Sequence, residues 1–162
     1  MVPLKRRHAD DVVVLFADPA MSTHLGADLS DPDVARAMVD NRLAYEGPPE
    51  LGHWVIMLDD DLIGLAHLRP SKELPGDLPE IGWYLSARHG GRGLATEAAL
   101  ALLRRGLDEM GLNSVWALVH VDQRPEPAVG RTPGIPRGGP GVALQRGPPG
   151  PCRPAWSGLS LP

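Results

Sequence analysis

The chain carries a single cysteine, Cys152. No internal disulfide can form, and no metal site can be built from several thiolates. Nowhere do about 18 apolar residues run together, the length a membrane-spanning helix needs, so no such helix is expected. The opening MVPLKRRHADD has charges but no apolar stretch behind them, which argues against a signal peptide and for a cytoplasmic location. A basic excess is missing too. Residues 1–123 hold 19 acidic and 11 basic side chains, a formal charge of −8, against −4 for the whole chain. A nucleic-acid-binding domain would carry a basic face, so neither nucleic acid nor membrane is expected as a partner. The acidic balance suits cationic substrates or simple solubility. His53, His67, His89 and His120 show no His-x-x-x-His spacing, and they read as structural or surface residues with no metal.

What is present is one domain's worth of patterned sequence over residues 1–123. Val2–Leu4 reads as a short strand and Ala9–Phe16 as a helix, broken by Asp18-Pro19. Asp31-Pro32-Asp33 is a helix start, with Asp31 as N-cap and Pro32 in the first position. That helix is expected to reach about Tyr45 and to bury Ala35, Val39 and Leu43, with Val34 and Met38 alongside. Trp54–Leu58 and Leu62–Leu68, joined by three aspartates, predict an antiparallel hairpin. A polar loop with Pro75-Gly76 at its tip leads to a strand over Glu80–Leu85. Gly93–Met110 predicts the longest helix, with Ala95, Ala99, Leu103, Leu107 and Met110 on one face and Gly111 as its left-handed cap. Val115–Val119 predicts an interior strand buried on both faces. The fold class is α/β, a mixed and mostly antiparallel sheet with flanking helices.

The strand-to-helix junction LSARHGGRGLAT (Leu85–Thr96) carries the chemistry. Glycines permit backbone conformations closed to other residues, so several N–H groups can converge on one phosphate. The following helix N-terminus favours the same charge, and Arg92 can add a cation. Other phosphate loops fit poorly. A P-loop ends in Gly-Lys-Ser/Thr, whereas Gly93 is followed by Leu94-Ala95; a dinucleotide fingerprint needs Gly or Ala where Thr96 stands.

The string EIGWYLSARHGGRGLATEAALALLRRGLDEMGL, Glu80 to Leu112, resembles the GNAT superfamily of N-acetyltransferases, and within it the branch of ribosomal-protein N-terminal alanine and serine acetyltransferases. The family motif is Gln/Arg-x-x-Gly-x-Gly/Ala. Gly90-Gly91-Arg92-Gly93-Leu94-Ala95 takes that register with Gly90 in place of Gln or Arg, and Arg88-x-x-Gly91-x-Gly93 satisfies it two residues earlier. The resemblance implies the GNAT acyl-CoA fold, with acetyl-CoA as co-substrate and a primary amine, a protein N-terminus or a small molecule, as acceptor. It implies that Gly91, Arg92, Gly93, Leu94, Ala95 and Thr96 receive the pyrophosphate, and that backbone near Trp83 and Leu85 pairs with pantetheine. Glu80 would be the base and Tyr84 would line the site; a solvated edge carboxylate and a core tyrosine are the plainer alternatives. By the same analogy Glu80–Leu85 would splay from Val115–Val119.

The likeness stops after Val119-His120-Val121-Asp122, where Gln123 takes the place of an asparagine that commonly contacts the cofactor. Residues 124–162 hold ten Pro and eight Gly in 39 positions and lack Lys, Asp, Asn, His, Met, Phe and Tyr. Pro, Gly, Arg and Ala make up 26 of the 39, the composition of an out-of-frame reading of a G/C-rich gene. The segment reads as a disordered tail, or as a Pro/Arg-rich interaction segment. The fold is then incomplete at its C-terminus. Val115–Val119 would lose a neighbour on one side, and an apolar edge of that kind favours aggregation or a homodimer. The competing function is accordingly an inactive remnant that binds CoA or a protein partner.

Overall fold

The computed structural model describes residues 1–21, 28–118 and a strand at 141–145. In chain order the elements are β1 (Val2–Pro3), α1 (Ala9–Phe16), α2 (Pro32–Leu43), β2 (Gly52–Leu58), β3 (Asp61–Pro70), β4 (Pro79–Leu85), α3 (Leu94–Leu103), β5 (Ser114–Leu118) and β6 (Gly141–Gln145). The six strands are hydrogen-bonded in sequence order, with β1–β2 and β5–β6 antiparallel and β4–β5 parallel. This is the mixed sheet with flanking helices expected from the sequence. The chain divides into two compact units: residues 1–67 with 83–98, and residues 68–82 with 99 onward.

In the first unit α1 occupies the predicted span and buries Val12 and Phe16 completely. Asp31 caps α2 as expected: its carboxylate accepts from the N–H of Asp33 at 2.8 Å and of Val34 at 3.3 Å. The helix ends at Leu43, two residues short of the predicted Tyr45. Ala35 and Val39 are fully buried, Leu43 and Met38 only partly, and Val34 is exposed. Exposed ion pairs Asp10–Arg36 and Arg6–Asp40 add little at the surface. One cluster joins α1, α2, β2 and β3 through Val12, Phe16, Ala35, Val39, Val55 and Leu65. The hairpin is longer at both ends than the two apolar runs, and Asp59 takes a positive φ of 53° in its turn.

In the second unit the long helix departs from the expected form. α3 ends at Leu103, and Arg104–Glu109 continue as a π-helical turn in which the Met110 N–H donates to the Arg105 carbonyl at 3.0 Å. The buried positions here are Ala99, Leu102 and Gly106 rather than the predicted stripe through Leu103 and Leu107. Leucines stand at 100, 102, 103 and 107, so the apolar pattern does not single out one face. Packing selects Gly106, where a Cβ would lie 2.8 Å from a Val115 methyl carbon. Gly111 is left-handed, as predicted, at φ 70°. The Leu112 N–H closes the cap on the Gly106 carbonyl at 3.0 Å, six residues back because of the π turn.

β5 corrects two expectations. Only Val115 and Ala117 are buried, while Ser114, Trp116 and Leu118 are half-exposed, so this strand covers one face rather than two. Its far side is not open either. β6, from within the segment read as a tail, pairs with it at all five positions, from Ser114↔Gln145 to Leu118↔Gly141. The argument for aggregation or a homodimer through an unpaired β5 therefore falls. The rest of the tail, Val119, His120 and Gln123 lie outside the described residues.

Candidate functional site

The glycine turn lies in the first unit. Gly91 and Gly93 both take left-handed φ, 72° and 77°, which side-chain-bearing residues reach only with strain. A Cβ on either would meet nothing within 4 Å, so conformation rather than crowding demands glycine there. Gly90 has φ −61° and ψ 160°, open to any residue, so glycine in place of the family's Gln or Arg is no backbone requirement. The Gly93 carbonyl accepts from the Glu97 N–H at 2.9 Å and opens α3. Helical geometry then leaves the N–H groups of Leu94, Ala95 and Thr96 without intrahelical acceptors, at the positive end of the helix dipole. Arg92 is exposed, with its Nη1 3.4 Å from His89 Nδ1. Successive amides, a cation and an open approach fit an anionic group such as a pyrophosphate.

Trp83, Tyr84 and Leu85, half-buried at the end of β4, belong to the same unit. The strand leaves the sheet with the Ser86 N–H on the Ile63 carbonyl at 2.9 Å. Beside it Gly64 is obligatory, since a Cβ there would stand 2.3 Å from the Tyr84 carbonyl oxygen. The Tyr84 ring packs edge-on to Phe16, with centroids 5.9 Å apart, and the Arg42 guanidinium carbon lies 5.3 Å from its centroid. His67, 3% exposed, is 6.4 Å from Tyr84 and 5.7 Å from His53, ring centre to ring centre. Tyr84 is thus both a core packer and the wall of a cavity of ≈ 330 Å³. Leu29, Val34, Ala37 and Met38 supply the apolar lining, and Asn41 and Arg42 the polar part.

Glu80 lies in the second unit and is 6% exposed, so it is not a solvated edge carboxylate. Ser71, itself buried, donates its hydroxyl to Glu80 Oε2 at 2.6 Å, the length of a charge-assisted bond. Arg69 Nη2 stands 3.4 Å from Oε1, a looser contact. Ser71 Oγ also accepts from the N–H groups of Glu73 and Leu74, at 3.2 and 3.1 Å, so one hydroxyl ties the 71–78 loop to β4.

The sequence reading brought Trp83, Tyr84, Leu85 and the turn together, and they share a unit. It missed Arg42, Ser71 and the cavity, because an arginine on a helix and a serine in a polar loop carry no local signal. Among the described residues no group of His, Cys, Asp or Glu could hold a metal ion, and no helix is long and apolar enough to cross a membrane.

The chain matches the family model of the acetyltransferase (GNAT) domain over residues 1–131. An uncharacterized N-acetyltransferase of Bacillus licheniformis, p20, is 27% identical over 128 residues, covering 75% of this chain and 71% of that protein. The crystal structure of an acetyltransferase from Agrobacterium tumefaciens str. C58 superposes with TM-score 0.65 at 26% identity, over 86% of this chain and 84% of the other. RimL, a ribosomal L7/L12 α-N-protein acetyltransferase solved with coenzyme A, gives TM-score 0.63 at 15% identity over 80% and 75% of the two chains, a likeness of fold alone. The match runs along most of the sequence and through the strand, glycine turn and helix described above, and it makes the chain a member of the GNAT acetyltransferase family.

Proposed function

We propose that the chain is an acetyl-CoA-dependent N-acetyltransferase acting on a primary amine. The observation that carries this is the pair of left-handed glycines, Gly91 and Gly93, opening α3 with its first amides unpaired by the helix. In this reading Gly91, Arg92, Gly93, Leu94, Ala95 and Thr96 hold the pyrophosphate, and the backbone of Trp83 and Leu85 pairs with the pantetheine arm. Acetyl-CoA supplies the acetyl group as an activated thioester. The chain's part is to orient the two reactants, exclude water and accept the proton the amine loses. Glu80 is assigned the proton-accepting role, with Ser71 and Arg69 fixing its orientation. Tyr84 lines the acceptor side. Gln123 is kept as a cofactor contact by resemblance alone. The inactive-remnant reading loses one of its supports, since β6 covers the strand it left bare.

The test uses the full chain, acetyl-CoA and a broad amine panel, with free CoA measured by chromatography. Gly93→Val forces a β-branched residue to φ 77° and puts its methyl groups beside the helix amides. It is expected to weaken acetyl-CoA binding at least tenfold. Wild-type protein that is neither stabilised by acetyl-CoA nor able to consume it would end the proposal.

A further inference from the structure

The Trp116 ring is half-exposed, yet its Nε1 is buried and, among the described residues, meets no hydrogen-bond acceptor. A buried N–H left in that state bears its full desolvation cost, and such groups in native proteins call for a reason. Its position supplies one. Val115 and Ala117 are buried, and Gly106 lies close against Val115, so alternation turns Trp116 to the opposite face of the sheet. Its register partner there is Glu80, in the parallel ladder that also pairs Ile81 with Ala117. Register partners on adjacent strands stand about 4.8 Å apart and present their side chains to the same face.

Glu80 does not answer the indole beside it. Its carboxylate is drawn toward the β3 side, to the Ser71 hydroxyl at 2.6 Å and to Arg69 Nη2 at 3.4 Å. Ser71 Oγ accepts from the N–H groups of Glu73 and Leu74, which directs its one proton to Glu80. A carboxylate and a buried N–H donor thus stand side by side on one face, within one compact unit.

We infer that Trp116 is a catalytic residue: its Nε1–H donates to the oxygen of the acetyl group during transfer. The inference rests on the acetyltransferase reading with Glu80 as the base. Transfer forms the C–N bond and breaks the C–S bond, and between the two events negative charge gathers on the acyl oxygen. The amine's proton goes to Glu80 and from there to the departing sulfur of CoA. A base and an oxyanion donor are both needed about 3 Å from the reacting groups, and residues one strand apart on one face meet that demand. Indole suits the role because its N–H only donates and places no formal charge beside Glu80. Held dry in advance, it needs no reorganisation when the charge forms.

The test compares the full wild-type chain with Trp116→Phe, which keeps an aromatic ring and removes the N–H. The acetylation kcat should fall about a hundredfold, the loss of one oxyanion donor, and by more than KM for acetyl-CoA rises. The melting temperature should stay within about 3 °C of wild type, because deleting this donor leaves no protein acceptor unpaired. Heteronuclear NMR reads the donor directly. Of the four tryptophan indole N–H signals, the one absent from Trp116→Phe should move with acetyl-CoA and stay still with CoA. An unchanged kcat overturns the proposal, as does a larger fall in melting temperature, the mark of a structural hydrogen bond. An indole signal that ignores acetyl-CoA, or that CoA moves equally, overturns it too. A signal moved by acetyl-CoA alone, in a protein that acetylates no amine offered, would sink the acetyltransferase reading and leave Trp116 assigned to the acyl oxygen.

Discussion

Gly64→Ala gives the sharpest test of how β3 and β4 approach one another. An alanine Cβ would sit 2.3 Å from the Tyr84 carbonyl oxygen, where carbon–oxygen contacts begin at about 3.3 Å. The strands must therefore part by about 1 Å, and the obstacle is backbone, which cannot rotate aside as a side chain can. The Ile56 and Leu85 methyl carbons at 3.1 and 3.2 Å close the lateral escape. The separation falls beside the Ser86 N–H to Ile63 carbonyl bond of 2.9 Å, so that bond stretches too. Overpacking of this kind costs about 1–3 kcal/mol, and a rigid obstacle places it near 3. For a chain of 162 residues that lowers the melting temperature by about 9 °C, at about 3 °C per kcal/mol. Gly90→Ala is the control: φ is −61° and the nearest atom, the Ala87 carbonyl oxygen, is 3.2 Å away, so the expected change is within about 1 kcal/mol. Differential scanning calorimetry of the three proteins decides it. A Gly64→Ala melt within 2 °C of wild type, at ~1 °C precision, would refute the close approach argued from the structure.

Glu80→Gln replaces a buried carboxylate that accepts from Ser71 and Arg69, and is expected to cost about 1–3 kcal/mol of stability by denaturant titration. If Glu80 takes the proton, kcat falls about a hundredfold or more while acetyl-CoA affinity holds; retained kcat with lost stability would give it a structural role alone. His8, 8% exposed, is held below its ordinary pKa of 6.5 by burial first, then by the charges of Arg7 and Lys5, against an opposing pull from Asp11. The unfolded chain therefore takes up the proton before the folded one. The contribution is complete above pH 6.5 and is lost as pH falls from there toward the lower folded value. The melting temperature should decline between pH 7.5 and 5.5, and His8→Gln should flatten that decline; equal slopes in the two proteins would remove His8 as the cause.

The glycine turn was legible because it is written locally. Positive φ at Gly91 and Gly93, an N-terminus at Leu94 and a strand before them are properties of consecutive residues, and glycine spacing reports them directly. The surroundings of Tyr84 were not. Arg42 reaches Tyr84 across 42 positions of sequence, and neither residue type announces the other. The same holds for Glu80, which alternation alone left as either a base or a solvated edge; the Ser71 hydroxyl at 2.6 Å puts it in a buried bond.

Caps, turns and the span of α1 were determined by the sequence, because the residues that set them lie within a few positions: Asp31 on the amides of α2, Pro19 after α1, Gly111 after the π turn. Tertiary structure decided what apolar excess left undetermined. Leucines lie all round α3, and it is packing, with Gly106 set close against Val115, that marks the buried face; Gly106 itself lies within the π turn. It also decided the fate of β5. No periodicity marks Gly141–Gln145 as a strand among its prolines and glycines, yet five residues of backbone suffice to pair there, because a ladder is made by N–H and C=O groups that every residue but proline carries.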